Sequence, residues 1–317
     1  MSVKTRRLCL FAVLAILCGF LSAQVPSAQQ TPPQSSSTVH VTTFPTAEQA
    51  MAALISAAEK FDQEAIEQIF GPDAKDILLT AEPPHDRDIA HTFAELAHEK
   101  SSVSIDPRNR NHAVILVGKD DWPFAVPLVR TNAQWHFDTR AGIQELTYRR
   151  VGGNELDAIE ICQGFVEAQE EYALQKHDGS VVNQYAQRII STSGKQDGLA
   201  WQTADGKWEG PIGENVATAI EKGYAAGQPY HGYYFKILKG QGPAAPLGEM
   251  DYVIEGAMIG GFALVAAPAE YAVTGVKTFV VSNDGVVYEK DFGDTTLAEF
   301  KKIERFNPDE TWAPVGK

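Results

Sequence analysis

The chain has 317 residues, of which 44% are hydrophobic, and it carries a formal net charge of −14. This length and apolar content are sufficient for one large domain or two modest domains with buried cores. The acidic balance argues against a nucleic-acid-binding protein and against a protein that binds anionic lipid.

The N-terminus has the pattern of a secretion signal. Arg6 and Arg7 precede an apolar run over residues 8–21, which is short for a membrane span and is followed by small residues. We expect cleavage after Ala23, with Ala28 as the alternative site. Residues 1–23 are therefore predicted to be a signal peptide.

Loss of this leader would change both charge and cysteine content. The leader carries three basic residues and no acidic one, so its removal would leave 24 basic and 41 acidic side chains, a net charge of −17. Cys162 would remain alone, which excludes an intramolecular disulfide. Cys18 follows two large residues that do not suit a lipidation motif. We expect a periplasmic or secreted protein whose mature chain has no transmembrane span.

The first half of the mature chain predicts helices followed by strands. Residues 24–43 are rich in Gln, Ser, Thr and Pro and predict a flexible tether. Thr46 and Asp62 are predicted to cap two helices, and a third is expected over residues 86–100. Short β-prone segments follow at residues 102–106, 112–117, 124–130 and 134–138.

This element order resembles the cone-shaped fold of nuclear transport factor and the small polyketide cyclases. The segment that ends the order is Trp135-His136-Phe137-Asp138. The resemblance covers residues 44–150 and implies a helix cluster packed on a curved antiparallel sheet, with a pocket between them. The presence of the fold would not establish that such a pocket is used.

The second half predicts a long helix and an antiparallel meander. Gly152-Gly153 is expected to interrupt the chain, with a helix over residues 154–176 and a shorter one over 213–224. Strands are expected at 233–238, 262–266, 278–281 and 286–288, and Asn283-Asp284-Gly285 predicts the hairpin between the last two. A short helix is expected from residue 296. We predict an α+β domain over residues 151–300 and a C-terminal tail over 301–317.

Several segments of this half resemble an exported bacterial family, domain-of-unknown-function family 2950. They are Gly-Tyr-Tyr-Phe-Lys-Ile-Leu (232–238), Gly-Gln-Gly-Pro-Ala-Ala-Pro (240–246), Gly-Gly-Phe-Ala-Leu-Val-Ala (260–266), Pro-Ala-Glu-Tyr (268–271) and Thr-Gly-Val-Lys-Thr-Phe-Val-Val (274–281). The resemblance spans nearly the whole mature chain. It implies export and supplies no reaction.

A second resemblance is to the globular heads of bacterial pseudopilins. The resemblance rests on three segments: Asn154-Glu155 at the start of a long helix, and Thr274-Gly275-Val276 and Asp284-Gly285-Val286 in the strand region. The long helix of a pilin begins with about twenty apolar residues, enough to span a membrane. Here a whole domain precedes Asn154, which argues against pilus assembly. The resemblance implies a pilin-head-like module that acts in interactions.

His91, Glu95 and His98 form a candidate metal site. At 100° per residue the three side chains fall within about 60° of one another on a helix. Imidazole and carboxylate groups at this spacing are typical ligands of Zn²⁺. The same patch also fits the solvated side of an amphipathic helix, because Phe93 and Leu96 lie on the opposite side. No other cofactor is expected.

His136 and Asp138 form a candidate acid–base pair. They are two residues apart on a predicted strand and would share a face, so that Asp138 could orient His136 as a base in the predicted pocket. The alternative is a histidine satisfied within the sheet.

Trp201 and Trp208 bracket an Asp-Gly turn and form a candidate stacking site for a sugar ring. The alternative is that the indoles anchor a loop against the core.

Our leading hypothesis is a non-enzymatic exported module for binding or envelope assembly, with an unknown envelope protein or a small ligand as its partner. One alternative is a hydrolase or lyase that uses a pocket in the first domain. Another alternative is a carbohydrate-binding module.

Overall fold

The computed structural model describes residues 41–73, 83–214 and 229–316. These described residues group as one compact unit. The described part contains helices and several antiparallel sheets, which confirms the α+β class. The predicted signal peptide, the tether up to residue 40 and nearly all of the predicted helix over 213–224 lie outside the described residues.

Helices α1 (Ala47–Lys60), α2 (Gln63–Phe70) and α3 (Pro83–Glu99) come first. Thr46 caps α1, and its hydroxyl accepts the backbone N–H of Gln49 at 3.2 Å. Asp62 caps α2 in the same way, accepting the N–H of Ala65 at 3.1 Å. Both predicted caps are confirmed, because each places an acceptor over N–H groups that have no partner within the helix.

The first sheet follows and is antiparallel. Its strands are β1 (Ser101–Ile105), β2 (His112–Val117), β3 (Trp122–Pro123), β4 (Leu128–Thr131) and β5 (Gln134–Phe137). They lie in the order β1-β2-β4-β5, with β3 paired to β2. Of the strand predicted over 124–130, only the part from Leu128 forms, as β4. Pro127 directly precedes β4, and a proline has no N–H to donate to a strand ladder.

The space between these helices and the sheet is filled by side chains. Phe70, Phe124 and Phe137 pack together, with the rings of Phe70 and Phe137 5.1 Å apart. Ile66, Ile115 and other buried side chains complete this first core. A cavity of about 620 Å³ lies beside this core, between the start of α1 and the sheet, and its lining includes Ala47, Arg130 and Trp135.

Helix α4 (Thr139–Tyr172) is 34 residues long and runs through Gly152-Gly153 without a break. The predicted start at residue 154 is therefore wrong. Two glycines cost a helix only about 1 kcal/mol each. Tertiary contacts offset this cost, since Cys162 and Phe165 are buried in a second core and Asp138 caps the N-terminus.

The second half contains a small sheet and a five-stranded meander. The small sheet comprises β6 (Arg188–Ile190), β7 (Gly198–Gln202) and β8 (Trp208–Glu209), in that order. The meander has the order β17-β16-β15-β14-β9. Its strands are β9 (Tyr233–Leu238), β14 (Ala263–Pro268), β15 (Lys277–Ser282), β16 (Tyr288–Asp291) and β17 (Ala313–Pro314). Every pair in it is antiparallel, as predicted.

Short pieces connect and cover the meander. Two small hairpins are formed by β10 (Gly240–Gln241) with β11 (Met250–Asp251), and by β12 (Val253–Ile254) with β13 (Ala257–Met258). Helix α5 (Thr296–Lys302) packs near β14. The segment predicted as a tail, residues 301–317, contains the end of α5 and strand β17.

The turn between β15 and β16 has a positive φ at Gly285 but not at Asp284, whereas the sequence predicts it at both residues. The N–H of Gly285 donates to the carbonyl of Ser282 at 2.9 Å, and Gly285 has φ of 73°. The Asp-Gly motif predicts two residues with positive φ, yet Asp284 is not among the residues that have it. The glycine alone supplies the left-handed conformation after the turn.

Three clusters of buried apolar side chains occur in the described chain: one over residues 47–137, one over 158–306, and a small one of Ala58, Ala90 and Ala94 where α1 meets α3. The predicted domain boundary at residue 150 falls inside α4. The division into two domains stays a prediction. No described helix has the length and apolarity needed to cross a membrane.

Candidate functional site

A cleft of about 350 Å³ lies in the second half of the chain. This volume lies within the range of small-ligand pockets. Its lining comes from three parts of the sequence: α4, the region from β6 to just after β8, and the entry to β9 together with β14. The lining residues are Asp157, Glu160, Ile161, Gly164, Phe165, Ile189, Leu199, Ile212, Gly213, Tyr230, His231, Phe235 and Leu264.

The floor of the cleft is apolar. Phe165, Leu199, Phe235 and Leu264 belong to the second core and are each at most 6% exposed. Ile161, Ile189 and Ile212 pack against the same core and are only partly buried. Apolar groups left partly exposed in this way bind an apolar ligand favourably, because contact removes them from water.

Helix α4 forms one wall through a single stripe of residues. Asp157, Glu160, Ile161 and Gly164 are spaced by three, four and seven positions, which places them on one side of a helix. A Cβ atom at Gly164 would meet no other atom within 4 Å. A ligand can therefore approach the backbone of α4 closely at this position.

A hydrogen-bonded pair forms the polar rim. Nδ1 of His231 lies 2.6 Å from Oδ2 of Asp157, and the two side chains are 45% and 44% exposed. Since a carboxylate only accepts, Nδ1 carries a proton in this contact. In the neutral imidazole, Nε2 is then an acceptor, whereas in the cation both nitrogens donate.

The local backbone fixes His231 at the rim. Tyr230 and Tyr233 exchange two backbone hydrogen bonds of 2.9 and 3.0 Å, which close a tight turn around His231 and Gly232. Both residues inside the turn have positive φ, 47° and 74°. The ring of Tyr230 meets the imidazole edge to face at 4.5 Å. Burial, reinforced by the charge of Asp157, raises the pKa of the Tyr230 phenol, which therefore stays neutral.

A second set of contacts, next to this turn, holds residues 274–277 against α4. The side-chain amide of Asn154 donates to the carbonyl of Thr274 at 2.8 Å. The carboxylate of Glu155 accepts the N–H groups of Val276 and Lys277 at 2.8 and 2.9 Å. A Cβ on Gly232 would collide with the Asn154 side chain. The motifs that carry the pseudopilin resemblance therefore act here as an anchor beside the cleft.

The chemistry of the cleft favours binding. An imidazole, a phenol and two carboxylates lie at the rim, above an apolar floor. Among the described lining residues there is no Ser, Thr or Cys that could act as a nucleophile next to His231. The Cys162 thiol is fully buried in the core, and burial raises its pKa to about 12. The arrangement can hold an apolar body and present hydrogen-bond acceptors to its polar end.

His136 and Asp138 lie at the junction of β5 and α4. His136 alternates with Trp135 and Phe137, whose side chains are buried in the first core, and so lies on the other face of β5. Asp138 follows the strand and caps α4, where Oδ1 of its carboxylate accepts the N–H of Ala141 at 3.1 Å. The role of Asp138 in orienting His136 as a base stays a prediction.

His91, Glu95 and His98 lie on the exposed side of α3, while Ala90, Ala94 and Ala97 face the interior. Nε2 of His98 is 3.7 Å from a carboxylate oxygen of Glu59 on α1. Within the described residues, no group of three or more His, Cys, Asp or Glu side chains has a metal-binding arrangement. The zinc site stays a prediction for metal analysis to test.

Trp201 and Trp208 lie on opposite faces of the β7–β8 hairpin, because Trp208 pairs with Gln202 and Trp201 with Glu209. The two indoles therefore do not form one stacking platform. Trp201 packs against the second core, and its ring lies 5.5 Å from that of the buried His177. This contact fits the alternative role, in which the indole anchors the loop.

The cleft itself was not predicted. Its two rim residues, Asp157 and His231, are 74 positions apart, so no local motif joins them. The available signals were the glycine at position 164 in the interior of a long helix, and the polar Tyr-His-Gly entry to a predicted strand.

Comparison with known proteins gives one match. A family model described as Protein of unknown function (DUF2950) matches residues 41–315. The matched region includes every lining residue of the cleft. No curated protein and no solved structure matches the chain.

Proposed function

We propose that this chain, which belongs to the DUF2950 family, is an exported binding protein. It holds a small, mainly apolar ligand in the cleft. The observation that carries the proposal is the cleft itself. Side chains from three distant stretches converge on an apolar floor with a polar rim, which is the usual composition of a ligand pocket.

The hydrogen-bonded rim supports binding rather than catalysis. His231 and Asp157 are held by a tight turn and by α4, and the described lining supplies no nucleophile beside them. A rigid rim of this kind orients a ligand at little entropic cost. The protein would then act without enzymatic activity.

Export is supported by the N-terminal sequence. Two arginines followed by an apolar run and small residues fit a cleaved leader. The protein would be periplasmic or secreted, and the anchored α4–meander unit would be a pilin-head-like module acting in the cell envelope. N-terminal sequencing of the mature protein tests this part. A first residue at position 24 or 29 is expected, and an intact Met1 in the purified protein would contradict it.

A cleft-filling substitution tests ligand binding. Gly164→Leu adds a side chain on the cleft side of α4, where a Cβ atom meets no other atom within 4 Å. Gly153→Leu is the matched control, because Gly153 lies on the same helix, has equally open surroundings and does not line the cleft. Each change replaces a helical glycine, so stability should be kept or raised by up to about 1 kcal/mol.

The neutral fluorophore N-phenyl-1-naphthylamine provides the readout, since its emission rises in an apolar site. We expect saturable binding to the wild type and to Gly153→Leu, and a loss of roughly tenfold or more in affinity for Gly164→Leu, because ligand and side chain compete for one space. Equal affinity in all three proteins would refute the cleft as the binding site.

A further inference from the structure

The charge of the rim specifies which apolar ligands the cleft prefers. We propose that the cleft selects amphiphiles with a positively charged amine head group over neutral and anionic ones of the same length. This inference rests on the proposed binding function and adds the chemical class of the ligand.

Two carboxylates and one imidazole define the charge of the rim. Asp157 and Glu160 contribute two negative charges, and His231 contributes one positive charge at most. The rim is therefore negative whether His231 is neutral or protonated. No Lys or Arg occurs among the described residues that line the cleft.

Geometry places these charges where a head group would sit. Asp157 and Glu160 are three positions apart on α4, one turn before Gly164 and the apolar floor. An alkyl chain lying against Gly164 and Phe165 would bring its polar end to the two carboxylates. Because the floor is apolar, the field of the carboxylates is less screened at the mouth of the cleft than on an open surface.

The two carboxylates of the rim differ in their contacts with the protein. Oδ2 of Asp157 accepts from His231, which fixes the carboxylate in one orientation. Glu160 is exposed and can swing towards a bound cation. An ammonium group has three donors and no acceptor, so it matches a rim of carboxylate acceptors, whereas a carboxylate head would be repelled.

Calorimetric titration with octylammonium, 1-octanol and nonanoate tests the proposal, since all three carry an eight-carbon alkyl chain and differ at the head group. We expect octylammonium to bind about fivefold or more tightly than 1-octanol, and nonanoate to bind most weakly, with the differences shrinking as salt is raised. In the double variant Asp157→Asn, Glu160→Gln the ratio of octylammonium to octanol affinity should fall to near one. In the control Glu167→Gln, on the exposed side of α4, the ratio should be unchanged.

The outcomes separate the two proposals. If octanol binds as tightly as octylammonium, the charge selection is refuted while ligand binding in the cleft stands. If the preference survives in the double variant, these carboxylates are not its source and the inference fails. If none of the three compounds binds, the proposed function itself fails.

Discussion

Removing the Glu155 carboxylate should loosen the junction between α4 and the meander. One oxygen of Glu155 accepts two backbone N–H groups, at 2.8 Å from Val276 and 2.9 Å from Lys277. Hydrogen bonds to a charged acceptor contribute about 1.5–3 kcal/mol each when buried. Because Glu155 is only partly buried, we expect Glu155→Ala to lower the free energy of unfolding by about 2–3 kcal/mol in total.

The isosteric variant separates charge from contact. Glu155→Gln keeps an oxygen that can accept both N–H groups, and a neutral acceptor retains roughly half the strength of a charged one. We therefore expect a loss of about 1–1.5 kcal/mol, between the wild type and Glu155→Ala.

Urea denaturation followed by circular dichroism provides the measurement. The midpoint should fall with an unchanged slope, and the melting temperature of Glu155→Ala should drop by roughly 5–10 °C. Glu167→Ala on the exposed side of the same helix is the control and should stay within about 0.5 kcal/mol of the wild type. If Glu155→Ala is no less stable than this control, the anchor between α4 and β15 does not contribute as argued.

Two further predictions concern titratable groups. Burial raises the pKa of the Cys162 thiol to about 12. A thiol reagent at pH 8 should therefore label the native protein about a thousandfold more slowly than the urea-unfolded protein. Equal labelling rates would contradict the burial of Cys162. Partial burial of Asp197 is outweighed by the N–H and hydroxyl of Thr192, which lower its pKa. The ionised Asp197 carboxylate therefore stabilises the fold above about pH 4, and this contribution is lost as the pH falls through the lowered pKa. The difference in unfolding free energy between wild type and Asp197→Asn should narrow below pH 4. A difference that does not change with pH would refute this role of Asp197.

Much of the secondary structure follows from local patterns. The strands β2 and β9 coincide with their predicted bounds, because β-prone residues are bounded there by turn residues on both sides. The caps at Thr46 and Asp62 were equally predictable, since each needs only residues within one helical turn.

The failures have tertiary causes. Gly152-Gly153 predicts a break, yet α4 continues because contacts with distant residues hold it on both sides of the pair, from Thr139 to Phe70 and from Asn154 to Thr274. The cap that Asp138 provides is local, and it was not predicted because the helix was expected to begin only at residue 154. The cleft depends on contacts across 74 positions, and no periodicity in a single sequence reports such contacts.

Chemical-shift mapping with 1-octanol tests the central claim most directly, because the neutral ligand probes the cleft without the charged rim. In ¹H–¹⁵N spectra we expect saturable shifts concentrated at the amides of Gly164, Phe165, Leu199 and His231, which line the cleft. Shifts confined to the helices and sheet of the first half, or scattered without saturation over the whole protein, would contradict a ligand site at this position.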